Sequence, residues 1–125
     1  MRRLIIIAFF FMNLCLPMGT QASNGGNVSP DPNFQIYLCF GQSNMEGNAA
    51  IGDIDRIGVN PRFMAMYAVD DEKAGWKKGQ WHTAVPPQAR PTTGLTPVDY
   101  FGRKMVDNLP DSIKVGTITV AVGGA

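Results

Sequence analysis

Cysteine is scarce in this chain, which carries only Cys15 and Cys39. There is no C-x-x-C pair, and Cys15 falls in a segment expected to be removed, so an internal disulfide is excluded. Cys39 then reads as a buried, inert thiol. Histidine is scarcer still: His82 stands alone, and no H-E-x-x-H metal motif is present. An excess of one charge is lacking too, with 11 Lys and Arg against 10 Asp and Glu. Neither nucleic acid nor an anionic membrane is therefore an expected partner. Missing also are a P-loop, a G-x-G-x-x-G, internal repeats and low-complexity tracts, and no apolar run reaches the roughly 18 residues of a membrane span.

What the first residues do contain is an export signal. Arg2 and Arg3 supply the positive start, Leu4 to Leu16 the apolar stretch, and Pro17-Met18-Gly19 the helix-breaking end. Thr20 and Ala22 are the small residues of a cleavage site, so Met1 to Ala22 is expected to be cut off and the mature chain to begin at Ser23. A lipoprotein signal at Cys15 does not fit, because Asn13-Leu14 stand where small residues belong. Loss of Arg2 and Arg3 turns the formal charge from +1 to −1. The expected location is periplasmic or extracellular. Residues 23–32 are polar and rich in Gly and Pro, a flexible leader. Residues 33–125 are enough for one small domain.

Within that domain the clearest stretch is Gln35 to Gly47, Q-I-Y-L-C-F-G-Q-S-N-M-E-G. An unbroken apolar run from Ile36 to Phe40 reads as a central parallel strand buried on both faces, and ligands gather at the carboxyl ends of such strands. Just past the break at Gly41 stands Ser43. Ser43-Asn44-Met45-Glu46 admits two readings: an S-x-x-E capping box, or a serine nucleophile beside free helix amides that stabilise an oxyanion. It is not a G-x-S-x-G elbow, since Met45 stands where the second glycine belongs.

Further along, residues 51–60 read as loop, 62–69 as a short strand and 80–85 as a returning strand. Asp70-Asp71-Glu72 between them reads as solvated acids rather than a metal cluster. Thr96-Pro97-Val98-Asp99 opens a helix with a hydroxyl cap, proline at the first position and an early acid. Val98, Phe101, Met105 and Leu109 form its apolar stripe, and Pro110 stops it. Lys114 to Val122 is β-branched, a second buried strand that ends on Gly123-Gly124. Strand, excursion, helix and strand make a parallel βαβ unit and hence an α/β chain. Trp76, Trp81, Tyr67 and Tyr100 suit either the walls of a sugar cleft or core and rim packing.

F-G-Q-S-N-M-E-G resembles the first motif block of SGNH-type hydrolases, and is most similar to the branch of sialate O-acetylesterase domains and the sixth carbohydrate esterase family. Looser similarity runs through Trp81-His82-Thr83-Ala84-Val85-Pro86-Pro87, Gly94-Leu95-Thr96-Pro97 and Val120-Ala121-Val122-Gly123-Gly124. The resemblance implies a three-layer, parallel-sheet, flavodoxin-like fold and a serine esterase that deacetylates a polysaccharide or a sialic acid, without cofactor or metal. It implies Ser43 as nucleophile and amide donor, one of Gly123 and Gly124 as a second oxyanion amide, and Gln42 and Asn44 as supports. The family's Asp-x-x-His block, which brings the base, has no match here, and His82 does not fit that role. The chain is therefore expected to be an N-terminal portion of such a hydrolase, truncated after the second main strand and inactive alone. A secreted carbohydrate-binding module without hydrolytic activity is the alternative from another class, and a fragment unable to fold is a third.

Overall fold

A computed structural model describes residues 29–124. The expected signal (1–22) and residues 23–28 of the leader lie outside the described residues. The elements, in chain order, are β1 (Phe34–Gly41), α1 (Ser43–Glu46), α2 (Asp53–Arg56), β2 (Phe63–Met66), β3 (Trp81–Thr83), α3 (Pro97–Asn108) and β4 (Lys114–Ala121). The strands form one sheet in the order β1-β4-β2-β3. β1 and β2 both run parallel to β4, and β3 folds back antiparallel on β2 as a hairpin. This is a small α/β fold with a mostly parallel sheet, matching the start of an SGNH, flavodoxin-like architecture. The crossover between β1 and β4 holds both the β2–β3 hairpin and α3.

Helix α3 begins as its sequence dictates. The Thr96 hydroxyl accepts from Val98 N–H at 2.9 Å, and the Asp99 carboxylate accepts from Thr96 N–H at 2.8 Å. Its buried face is rotated from the expected stripe: Val98, Asp99, Gly102 and Val106 are buried, whereas Phe101 is exposed. The cause is Gly102, whose missing side chain admits the Phe63 ring edge against the helix backbone. Phe63, Ala65, Ala84, Val106 and Val115 form the buried core. At the helix end the Arg62 guanidinium donates to the carbonyls of Val106, Ile113 and Pro110 at 2.9, 2.8 and 3.2 Å, satisfying acceptors that a helix terminus leaves open.

Polar groups tie the excursion back to the sheet. Gln88 donates to Asp99 at 2.6 Å and accepts from the Thr117 hydroxyl at 3.0 Å, all three side chains being buried. Burial pushes the Asp99 carboxyl above the usual range, against the pull of those donors. The segment 51–60, expected as loop, holds the single turn α2, fixed by Gly52 N–H donating to Asp55 at 2.8 Å.

One expectation fails for β1. Read as a central strand buried on both faces, it lies at the edge of the described sheet, with Ile36, Leu38 and Phe40 at 53%, 61% and 72% exposure. Helix α3 covers only the other face, where Tyr37 meets Phe101 edge-on at 5.1 Å. Cys39, on that covered side, is half-buried, and desolvation raises its thiol pKa.

Candidate active site

The register of the two main parallel strands makes the site. Gly41 lies beside Ala121, so the chain leaves β1 and β4 at the same sheet end. Ser43 follows one strand, and Gly123 and Gly124 follow the other. Their approach is close: a Cβ added to Gly123 would lie 3.5 Å from the Ser43 Cβ and 3.6 Å from its Cα. Gly124 takes φ 76°, a left-handed backbone that glycine adopts freely.

The capping reading of Ser43 does not hold. Gln42 is the N-cap of α1 and makes no side-chain cap bond, while Ser43 is the first helical residue. Glu46 does not reach back to its own helix start. Its Oε2 instead accepts from Gly123 N–H at 2.7 Å, and its Oε1 pairs with the Arg90 guanidinium. Among the described residues the Ser43 hydroxyl has no hydrogen-bond partner, nor have the N–H groups of Ser43 and Gly124, whereas Met45 and Glu46 N–H both donate to Gln42 O at 2.9 Å.

The Ser43 turn is held from both sides. Asn48 Nδ2 donates to Ser43 O at 3.1 Å. Gly94 and Leu95 N–H donate to Gly47 O and Ala49 O at 2.7 and 2.8 Å, stitching the chain after α1 to the segment before α3. Gln42 and Asn44, expected as supports, make no side-chain hydrogen bond among the described residues; Asn48 and Glu46 hold the turn. The Glu46 partner sits 77 residues away in sequence, so no local pattern announces it. Beside the turn lies a polar hollow of about 340 Å³, lined by Glu46, Asn48, Arg90, Thr92 and Thr93 among others.

His82 is elsewhere. It belongs to β3, separated from β1 by β4 and β2, and three strand spacings amount to about 14 Å. It also pairs with Ala65, which aligns with Thr117 and Tyr37, well before the strand ends that carry Ser43. Its ring stacks on Tyr67 at 3.7 Å, and Tyr67 stacks on Trp76 at 3.8 Å. Nδ1 contacts Thr83 O at 2.8 Å, while Nε2 is buried without a partner. Desolvation lowers the His82 pKa, partly opposed by the Thr83 carbonyl. Trp81 packs edge-on against Phe34 at 4.8 Å, and the Tyr100 hydroxyl donates to Asp55 at 2.6 Å. These rings bind one another or the scaffold, and none lines the polar hollow. Asp70 and Asp71 accept backbone N–H groups at 2.8 Å within their own turn, and no metal-ligating cluster occurs among the described residues.

Among the described residues the arrangement presents a Ser43 hydroxyl and N–H without partners, with the Gly123-Gly124 turn set against them. Among the described residues no histidine lies at that sheet end. A family model described as carbohydrate esterase, sialic acid-specific acetylesterase, matches residues 33–125. No solved structure matches the chain.

Proposed function

The chain belongs to the carbohydrate esterase family of sialic acid-specific acetylesterases, and from that premise we propose that it supplies the nucleophile and oxyanion half of a serine-dependent O-deacetylation. Family membership gives an acetylesterase type of function and an acetylated carbohydrate as substrate. The finer reading is carried by one observation: Gly123 packs against the Cα and Cβ of Ser43, at a sheet end where the Ser43 hydroxyl and the Ser43 and Gly124 N–H groups have no partner among the described residues.

In this reading Ser43 Oγ attacks the acetyl carbonyl and its proton passes to a histidine. The carbonyl oxygen, now an anion, takes hydrogen bonds from Ser43 N–H and Gly124 N–H. Collapse expels the sugar hydroxyl, which regains the proton, and water then releases acetate from the acyl-serine. Gly124 is the donor rather than Gly123, because Gly123 N–H is already given to Glu46. The polar hollow beside Arg90 and Thr93 suits the hydroxyl-rich face of a glycan. The base comes from outside these 125 residues, since the only histidine lies three strands from Ser43.

The test compares acetate release from acetylated sialic acid or xylan by the natural protein that supplies the base, with and without Ser43→Ala. The variant should lose several orders of magnitude in kcat. Its stability should change by less than about 0.5 kcal/mol, since the hydroxyl caps nothing. In a third arm, residues 23–125 alone should turn over 4-nitrophenyl acetate little faster than buffer. Activity that falls only in step with folded protein would reduce Ser43 to a turn residue, and favour the carbohydrate-binding alternative. We also propose export: secreted material should begin at Ser23 on N-terminal sequencing, and an intact Met1 terminus would overturn that.

A further inference from the structure

Glu46 is a charged residue that its position does not require. It is 7% exposed, sits in a single-turn helix, and could have capped that helix, yet it turns across the sheet end instead. Burying a carboxylate is unfavourable unless it is paired and hydrogen-bonded. Here one oxygen takes the Gly123 N–H at 2.7 Å and the other faces the Arg90 guanidinium, which comes from the loop before α3. Three separate chain segments therefore meet on one carboxyl group: the Ser43 turn, the 90–94 loop and the end of β4. The contact also decides which amide is left over. With Gly123 N–H directed to Glu46, the chain turns at Gly124, whose own N–H has no partner among the described residues.

We propose that Glu46 is a positioning residue for the oxyanion site: it holds Gly123 N–H, and Arg90 holds it, so that the Gly123-Gly124 turn stays fixed against Ser43. This rests on Ser43 being the nucleophile. Glu46 touches neither substrate nor reacting atoms and acts through the glycine turn. Loss of the clamp frees Gly123 N–H and lets the turn rotate, which harms transition-state stabilisation far more than ground-state binding.

Two readouts separate this role from the nucleophile reading. The first is independent of turnover: in protein labelled with ¹⁵N-glycine, the Gly123 amide proton should resonate downfield and exchange slowly. Glu46→Ala should move it upfield and speed its exchange. The second is kinetic. In the active natural protein Glu46→Ala should lower kcat about 100-fold, the loss seen when one oxyanion donor is removed, with KM changed less than about twofold. Glu46→Gln still accepts from Gly123 but cannot pair with Arg90, and should recover at least tenfold of the lost kcat.

An unaltered Gly123 signal in Glu46→Ala, or a kcat that falls only with the folded fraction, overturns the proposal. If the alanine variant does not fold, Glu46→Gln decides: a shifted Gly123 amide with reduced kcat supports the clamp, and wild-type values for both overturn it. Should Ser43→Ala retain activity while the Gly123 signal responds as expected, the nucleophile reading is what fails. Glu46 is then a structural clamp without a part in catalysis.

Discussion

Two edges of one sheet make opposite use of their polar and aromatic groups. At the carboxyl ends of β1 and β4, the Ser43 hydroxyl and the Ser43 and Gly124 amides have no partners among the described residues, although Glu46, Arg90 and Asn48 fix the backbone around them. At the β2–β3 hairpin His82, Tyr67 and Trp76 spend their faces on one another. A reactive site needs donors that are held in place and yet unspent, and only the first edge meets both conditions. A histidine in sequence is therefore not a base in space. The same contrast divides the two faces of the sheet: α3 closes over Phe63 and Val115, while Leu38 and Phe40 look outward.

The sharpest break between the two edges is kinetic. Ser43→Ala should remove orders of magnitude in turnover, whereas His82→Ala in the same active protein should alter activity only as far as it alters folding. A His82 variant that matched Ser43→Ala in lost kcat with its fold intact would merge the two edges into one site. Next in size is the Glu46→Ala loss of about 100-fold, read beside the Gly123 amide.

The faces differ by less, and in stability rather than rate. Phe63 is fully buried, so Phe63→Ala should cost about 3–5 kcal/mol in denaturant unfolding. Leu38, 61% exposed, should cost under about 0.5 kcal/mol on the same change. A loss at Leu38 as large as that at Phe63 would mean that this face is covered in solution. A parallel sheet is ordinarily covered on both sides.

The smallest effect is a pH dependence. The folded pKa of His82 is depressed below its ordinary 6.5, so the unfolded chain binds more protons between the two values. Its contribution is whole above about pH 6.5 and is lost as pH falls toward and through the folded pKa. Asp99 runs the other way: its folded pKa is raised above 3.8, so its neutral form is favoured by folding and stability is given up as pH rises through the folded value. The difference between wild type and His82→Phe isolates the histidine. Wild type should lose more melting temperature than His82→Phe between pH 7 and pH 5, and parallel curves at all pH values would mean that His82 titrates alike in both states.

Sequence by itself determined the local features. β-branching wrote β4, the cap and proline wrote the start of α3, a short apolar run and its returning strand wrote the hairpin, and the break at Gly41 put Ser43 at a strand end. Each is settled by interactions within a few residues, so each leaves a pattern in the chain. Only the tertiary structure decided what those features touch. The S-x-x-E pattern is a legitimate local cap, yet a partner 77 residues away captured the glutamate. Arg62 found carbonyls 44 to 51 residues on. Gly102, not Phe101, met the core because Phe63 needed the space. Which glycine keeps a free N–H, and which face of β1 is covered, depend on register and on packing across the sheet. A buried carboxylate goes to whatever donors the assembled fold brings within reach, and no spacing rule encodes that distance.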